Sequence, residues 1–183
     1  MTKVTKIITA LLAITLAFTS CSKEEEDDVD AELVNQVDYN ETISTLSKVE
    51  IERYGTGTWH AGNNSDLYIE SSNYDGSNRG IKLYFELATL SSSYLSTGTY
   101  TWFNGSSTSS STIMPTRRYS SITSITVNGR EDLIVSGTLT VSESNNIYTY
   151  EFDGETESGK ALRFNYSGST QNTTVSRRAP SNK

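Results

Sequence analysis

Seven residues in the middle of this chain do most to limit its fold. In Ile81-Lys82-Leu83-Tyr84-Phe85-Glu86-Leu87 the apolar side chains take every second position. A helix would scatter them around its circumference. A strand puts Ile81, Leu83, Phe85 and Leu87 on one face and Lys82, Tyr84 and Glu86 on the other. The same period governs Val49 with Ile51, and Leu67 with Ile69. It returns in Leu133, Val135, Leu139 and Val141, in Tyr148, Tyr150 and Phe152, and in Leu162, Phe164 and Tyr166. Each is the pattern of an antiparallel strand with one face on a core and one in water.

Turn chemistry separates these runs. Asn128-Gly129 is a strong two-residue hairpin signal, because a type I′ turn needs positive φ at both central positions. Ser144-Asn145-Asn146 and the segment from Asp153 to Gly159 punctuate the next two connections. Residues 122–168 therefore predict a four-stranded meander, and the earlier strands form a second set. Eight or so short strands with only two prolines in the chain predict an all-β, antiparallel two-sheet β-sandwich, with a closed β-barrel as the alternative. Eleven tyrosines and a hydrophobic fraction of 34% suit half-buried sheet surfaces rather than helical packing.

The amino-terminal residues carry a different signal. Lys3 and Lys6 precede an apolar run from Ile7 to Phe18, well short of the roughly 20 residues a membrane-spanning helix needs. The run ends in Thr19-Ser20-Cys21, with the only cysteine of the chain. The expectation is a lipoprotein signal peptide over 1–20, cut between Ser20 and Cys21, with diacylglycerol on the Cys21 thiol and an acyl chain on its new amino group. Two acyl chains suffice for stable anchoring at about 0.8 kcal/mol per buried methylene. Loss of Lys3 and Lys6 takes the net charge from −7 to −9. Lys23 is then followed by seven acids within residues 24–32, and an acidic chain with no basic stripe argues against nucleic acid as a partner. The expected organisation is an acylated acidic tether over 21–44, a β domain over 45–169 and a polar tail over 170–183. Leu33 and Val37 show a trace of helical spacing within the tether. Phe103 to Ser121 is a long Ser-rich loop of the kind that is functional or disordered.

Several segments resemble Bacteroidota surface lipoproteins. Ser22-Lys23-Glu24-Glu25-Glu26-Asp27-Asp28 is similar to the acidic export signal those proteins carry directly after the acylated cysteine. The succession Tyr54-Gly55, Asp66 to Ile69, Ile81 to Leu87 and Leu95-Ser96-Thr97-Gly98-Thr99-Tyr100 is similar to their strand order, as are Ser136 to Val141, Tyr148 to Phe152, Gly159 and Tyr166-Ser167-Gly168. The resemblance covers roughly 50–169 and implies a lipid-anchored protein of the outer membrane that faces the cell exterior. Its motifs are turns and strand starts, so it implies no catalytic residue.

Catalysis has little to draw on. His60 is the only histidine, which excludes a multi-histidine zinc site, and no Gly-x-Ser-x-Gly elbow occurs. Glu151 and Asp153 lie on the face opposite Tyr150 and Phe152, as a solvated face does. Asp75-Gly76-Ser77-Asn78 and Asp153-Gly154-Glu155 offer oxygens for calcium but read as turns. We expect no enzyme, no metal and no cofactor beyond the covalent lipid. For binding, Trp59, Trp102, Phe103 and Tyr119 are candidates at strand ends, with Asn63, Asn64 and Asn104 beside them to meet hydroxyls. The competing expectation puts Trp102 in the core with Tyr100. Two functions follow: a non-catalytic binder of glycan or another extracellular ligand through strand-end loops, or a structural lipoprotein that docks protein partners through a sheet edge or apolar face.

Overall fold

The computed structural model describes residues 32–56, 63–89, 95–103, 118–120 and 122–174. Its strands are β1 (Gln36–Tyr39), β2 (Thr42–Thr56), β3 (Asn63–Ser71), β4 (Ile81–Thr89), β5 (Gly98–Trp102), β6 (Arg118–Tyr119), β7 (Ser124–Val127), β8 (Arg130–Ser144), β9 (Ile147–Thr156), β10 (Ala161–Gly168) and β11 (Gln171–Thr174). No helix occurs among the described residues. The all-β expectation holds, and so does the meander from β7 to β10.

The two-sheet sandwich gives way to the alternative, a closed eight-strand antiparallel barrel. Around the ring, β1 pairs β2, β2 pairs β3, β3 pairs β4, β4 pairs β7, and β7 to β10 follow in order until β10 pairs β1. The sandwich expectation placed the meander over 122–168, now β7-β8-β9-β10, in one set and the earlier strands in the other. What it missed is that short strands hydrogen-bond the halves together at both seams. β2 and β8 run 15 residues each and change partner part-way. β2 pairs β1 over Thr42 to Thr45 and then β11, in parallel, over Glu50 to Arg53. β8 pairs β7 over Arg130 to Leu133 and then β5 over Thr138 to Val141. β6 lies between β5 and the end of β4.

The sheet therefore extends past both ends of the 45–169 span. The trace of helical spacing at Leu33 and Val37 gives way to a strand. Val37 and Tyr39 alternate inward from β1 because that strand has hydrogen-bonding partners on both sides. It turns into β2 through Asn40 and Glu41, at φ 50° and 67°. Asn128-Gly129 (48° and 76°) and Asn145-Asn146 (53° and 65°) make the same two-residue turn, as type I′ chemistry requires.

Eight strands enclose a bore that side chains fill. Val49, Ile51, Leu67, Ile69, Ile81, Leu83, Phe85, Leu87, Leu162, Phe164 and Tyr166 all face in, as their alternation predicts. In β8 the alternation misleads. A bulge between Ile134 and Ser136 shifts the register, so Ile134 is fully buried while Leu133 and Val135 are half-buried. One extra residue on the bulged strand reverses which face its neighbours take. The centre is aromatic: the Phe85 ring lies 5.6 Å from Tyr119, 5.3 Å from Phe152 and 5.9 Å from Phe164, each edge to face. Such pairs add about 0.5–1.5 kcal/mol each beyond their area burial.

Phe152 also sets a local limit on its neighbours. Its ring tip covers the cross-strand pair Gly137 and Gly154. A Cβ on Gly154 would stand 2.3 Å from the Ser136 carbonyl oxygen and 2.6 Å from the ring. We expect Gly154→Ala to lose about 1–3 kcal/mol, the usual cost of overpacking, read as a lower midpoint in thermal unfolding. An unchanged midpoint would show that the pair is not closely packed.

Candidate functional site

A filled bore leaves the two ends of the barrel as places for a ligand. One of these ends lies where β1 meets β2, β7 meets β8 and β9 meets β10. Two adjoining cavities of about 580 Å³ and 290 Å³ open there and share Tyr39, Val127, Asn128 and Lys160. Asp132, Ser158 and Arg130 complete the larger, and Ile81, Asn40 and Thr42 the smaller. Their combined size is that of ordinary small-ligand sites, which barrel mouths commonly hold.

Asp132 holds the frame of this groove. Its Oδ2 accepts the Tyr39 hydroxyl at 2.7 Å and the Ser158 hydroxyl, and its Oδ1 accepts the Ser158 N–H at 3.2 Å. One carboxylate thus ties the end of β1, the strand β8 and the β9–β10 turn. Partial burial works to raise the Asp132 carboxyl, but hydrogen bonds from Ser158, Tyr39 and Thr156 outweigh it and leave the group below its ordinary 3.8. The rim is fixed just as firmly. Asn128 donates its N–H to the Gly80 carbonyl at 2.9 Å and accepts the Gly80 N–H on Oδ1 at 3.1 Å, joining the β7–β8 hairpin to the β3–β4 loop. That loop is wound around Asp75, whose Oδ1 accepts the N–H groups of Ser77, Asn78 and Arg79. The segment is a turn, as expected, and these backbone donors hold the Asp75 carboxyl well below its usual range. Asp153-Gly154-Glu155, the other expected turn, lies inside β9 instead. The strand continues because Asp153 and Gly154 pair with Arg163 and Leu162.

The sequence candidates mostly lie elsewhere. Tyr119 is fully buried in the aromatic centre and donates to the Gly137 carbonyl at 3.0 Å, which removes it from any ligand site. Burial pushes its hydroxyl far above the ordinary 10.0. Trp102 is half-buried and packs on the core, next to a fully buried Tyr100. Its indole N–H is buried without a partner among the described residues. Phe103 is half-buried beside it and donates its N–H to the Tyr119 carbonyl at 3.0 Å. Asn64 is 2% exposed. Ser20, Cys21, Trp59, His60 and Asn104 lie outside the described residues.

A second polar cluster covers the outer face of β2-β3-β4. Glu52, Asp66 and Glu86 stand abreast across the three strands, an arrangement that like charges disfavour. Tyr54 donates to Glu52 at 2.6 Å, and Tyr68 donates to Asp66 at 3.3 Å. Burial raises the Asp66 carboxyl, with the charge of Glu86 adding to it and hydrogen bonds from Tyr54, Tyr68 and Tyr84 opposing. Lys82 lies 4.4 Å over the Tyr68 ring and 4.0 Å from Glu70. Among the described residues no group of three metal-ligating side chains converges.

No family model, no curated protein and no solved structure matches this chain. Its geometry has to be read on its own terms. Of the groove residues, Ile81 carried a sequence signal as the start of an alternating run, Asn128 as half of a turn and Ser158 as part of an expected connection. Tyr39, Asp132 and the turn that holds Ser158 and Lys160 are separated by long stretches of chain, and only strand register gathers them.

Because the folded Asp132 carboxyl titrates below its unfolded value, it stabilises the fold above pH 3.8 and ceases to do so as acid protonates it. We expect Asp132→Asn to lower the unfolding midpoint at pH 7, with the gap to the parent closing as the pH is taken well below 3.8. Thermal melts across that range measure it, and a constant gap would mean that the carboxylate charge plays no part.

Proposed function

We propose that this protein is a lipid-anchored lipoprotein of the outer membrane, displayed on the cell surface, and that its barrel is a non-catalytic module that binds glycan. The anchor rests on Cys21 and the signal before it, and the display on the acidic run from Glu24 to Asp28. The binding role rests on one observation. The mouth groove has a preset frame, in which Asp132 and Asn128 fix polar groups around a floor made by the largely buried Tyr39 and Ile81 and the half-buried Val127. An apolar floor with polar groups fixed around it suits a sugar, which presents an apolar face and a rim of hydroxyls. Preset donors and acceptors also spare the ordering cost that loosely held side chains bear on binding.

The protein-docking reading has less behind it. It needs a long free edge or an uncovered apolar patch. The ring is closed, and β11, where the strand path ends, has only four residues. The exposed large apolar side chains Val34, Ile43, Ile122 and Ile147 belong to four separate segments.

The lipoprotein extracted in mild detergent and applied to a glycan array tests the binding role. We expect retention of at least one glycan class, lost in Thr42→Trp, which narrows the smaller cavity from an exposed position. No retention, or equal retention by the variant, would sink the groove as the site. The anchor and its orientation are tested by protease treatment of intact cells beside a Cys21→Ser control. Cleavage of the parent and release of the control from the cell envelope are expected. A parent that resists until the outer membrane is broken faces the periplasm.

A further inference from the structure

The groove holds two carboxylates and two cations, and their states differ. Asp132 has both oxygens occupied, by the Tyr39 hydroxyl, the Ser158 hydroxyl and the Ser158 N–H. Glu131 accepts the Ser124 hydroxyl at 2.8 Å. The acids are thus engaged with groups of the barrel itself. The cations are not. Neither Arg130 nor Lys160 makes an ion pair among the described residues, though Glu131 and Asp132 directly follow Arg130 along the chain. Lys160 sits with its ammonium 5.0 Å over the Tyr39 ring, so its position is set by a π face and its hydrogen-bonding valence is unused. It lines both cavities, and Arg130 lines the larger.

An internally satisfied acid offers a ligand little, whereas an unpaired ammonium and guanidinium offer several N–H donors with full charge. Hydrogen bonds from such donors to a carboxylate are roughly twice as strong as neutral ones, and the planar fork of Arg matches a carboxylate in two-pronged geometry. Tyr39, only 9% exposed, lies beneath Lys160 and forms part of the groove floor. Resting on the glycan-binding role proposed above, we infer that the groove selects acidic sugars, with the ligand carboxylate on Lys160 and Arg130. The ligand class is a uronic acid-containing glycan, and neutral sugars of the same shape are the ones it discriminates against.

A matched pair of probes isolates the charge. The detergent-extracted lipoprotein is titrated calorimetrically with a short oligogalacturonate and with its methyl ester, which keeps the shape and removes the anion. We expect the acid to bind and the ester to bind about tenfold more weakly or not at all. Arg130→Gln and Lys160→Gln should each reduce the preference for the acid; Arg130→Gln should unfold at the parent midpoint, and Lys160→Gln, which loses its contact over the Tyr39 ring, a few degrees below it at most. Equal affinity for acid and ester would overturn the acidic selectivity and leave glycan binding standing. So would a preference for acid that survives both substitutions, since the anion would then sit elsewhere. Failure to bind the acid, with neutral glycans retained on the array, overturns the inference alone. Failure to retain any glycan overturns the binding role with it.

Discussion

A strand that buries one face still leaves backbone N–H and C=O groups along its edges, and an open sheet must leave two such rows unpaired. In this molecule the rows meet. β1 bridges β2 and β10 on one side, and β7 bridges β4 and β8 on the other. Everything else depends on those two seams. They convert two three-stranded halves into one ring, they decide which side chains point into a common interior, and they bring together the ends of strands far apart in sequence. The short strands are polar or mixed, with β6 only two residues long. They pair the neighbouring backbones and also deliver Val37, Tyr39, Tyr119 and Ile125 to the core.

Closure at eight strands also decides where binding is possible. The bore is taken up by Phe85, Tyr119, Phe152 and Phe164 and the aliphatic side chains around them. The close approach of Gly137 and Gly154 beneath Phe152 leaves no slack there. A ligand meets the barrel at a mouth or on its outer face. At the mouth beside Tyr39, polar groups are tied into the frame and two cations are left over. On the outer face of β2-β3-β4, tyrosines and acids answer one another. The two surfaces contain similar residue types and differ in what remains unsatisfied.

Local structure was legible in the residues wherever a local rule applied. Alternation correctly turned β3, β4 and β10 inward, and Asn128-Gly129 announced its hairpin. Asn40-Glu41 makes the same hairpin, but a Glu at φ 67° is uncommon and no pattern of residue types marks it. The bulge in β8 moved Ile134 inward against the alternation on either side. Tyr119 looked available because its neighbours are serines and threonines, yet a two-residue strand carries it into the centre of the core. The groove was hidden for a different reason. Tyr39 and Asp132 are 93 positions apart, and Ser158 is 26 beyond Asp132. What joins them is register between strands that meet only on closure, and period-two reading cannot supply it.

The seam at β1 has a consequence in time. Asp38 and Arg163, partners across that seam, are separated by 125 residues, and β11 comes later still. Hairpins such as β8–β9 can form as soon as their own residues are present, but the ring cannot shut until nearly the whole chain is available. Contacts this distant in sequence put a long loop closure ahead of their reward and slow the final step. Until the last strands arrive, the aromatic interior faces water and both rows of edge groups stand open to pairing with other chains. The interval between synthesis and closure is therefore when this protein is most exposed to aggregation, and a chaperone that delays pairing until β10 is in place would act at the vulnerable moment.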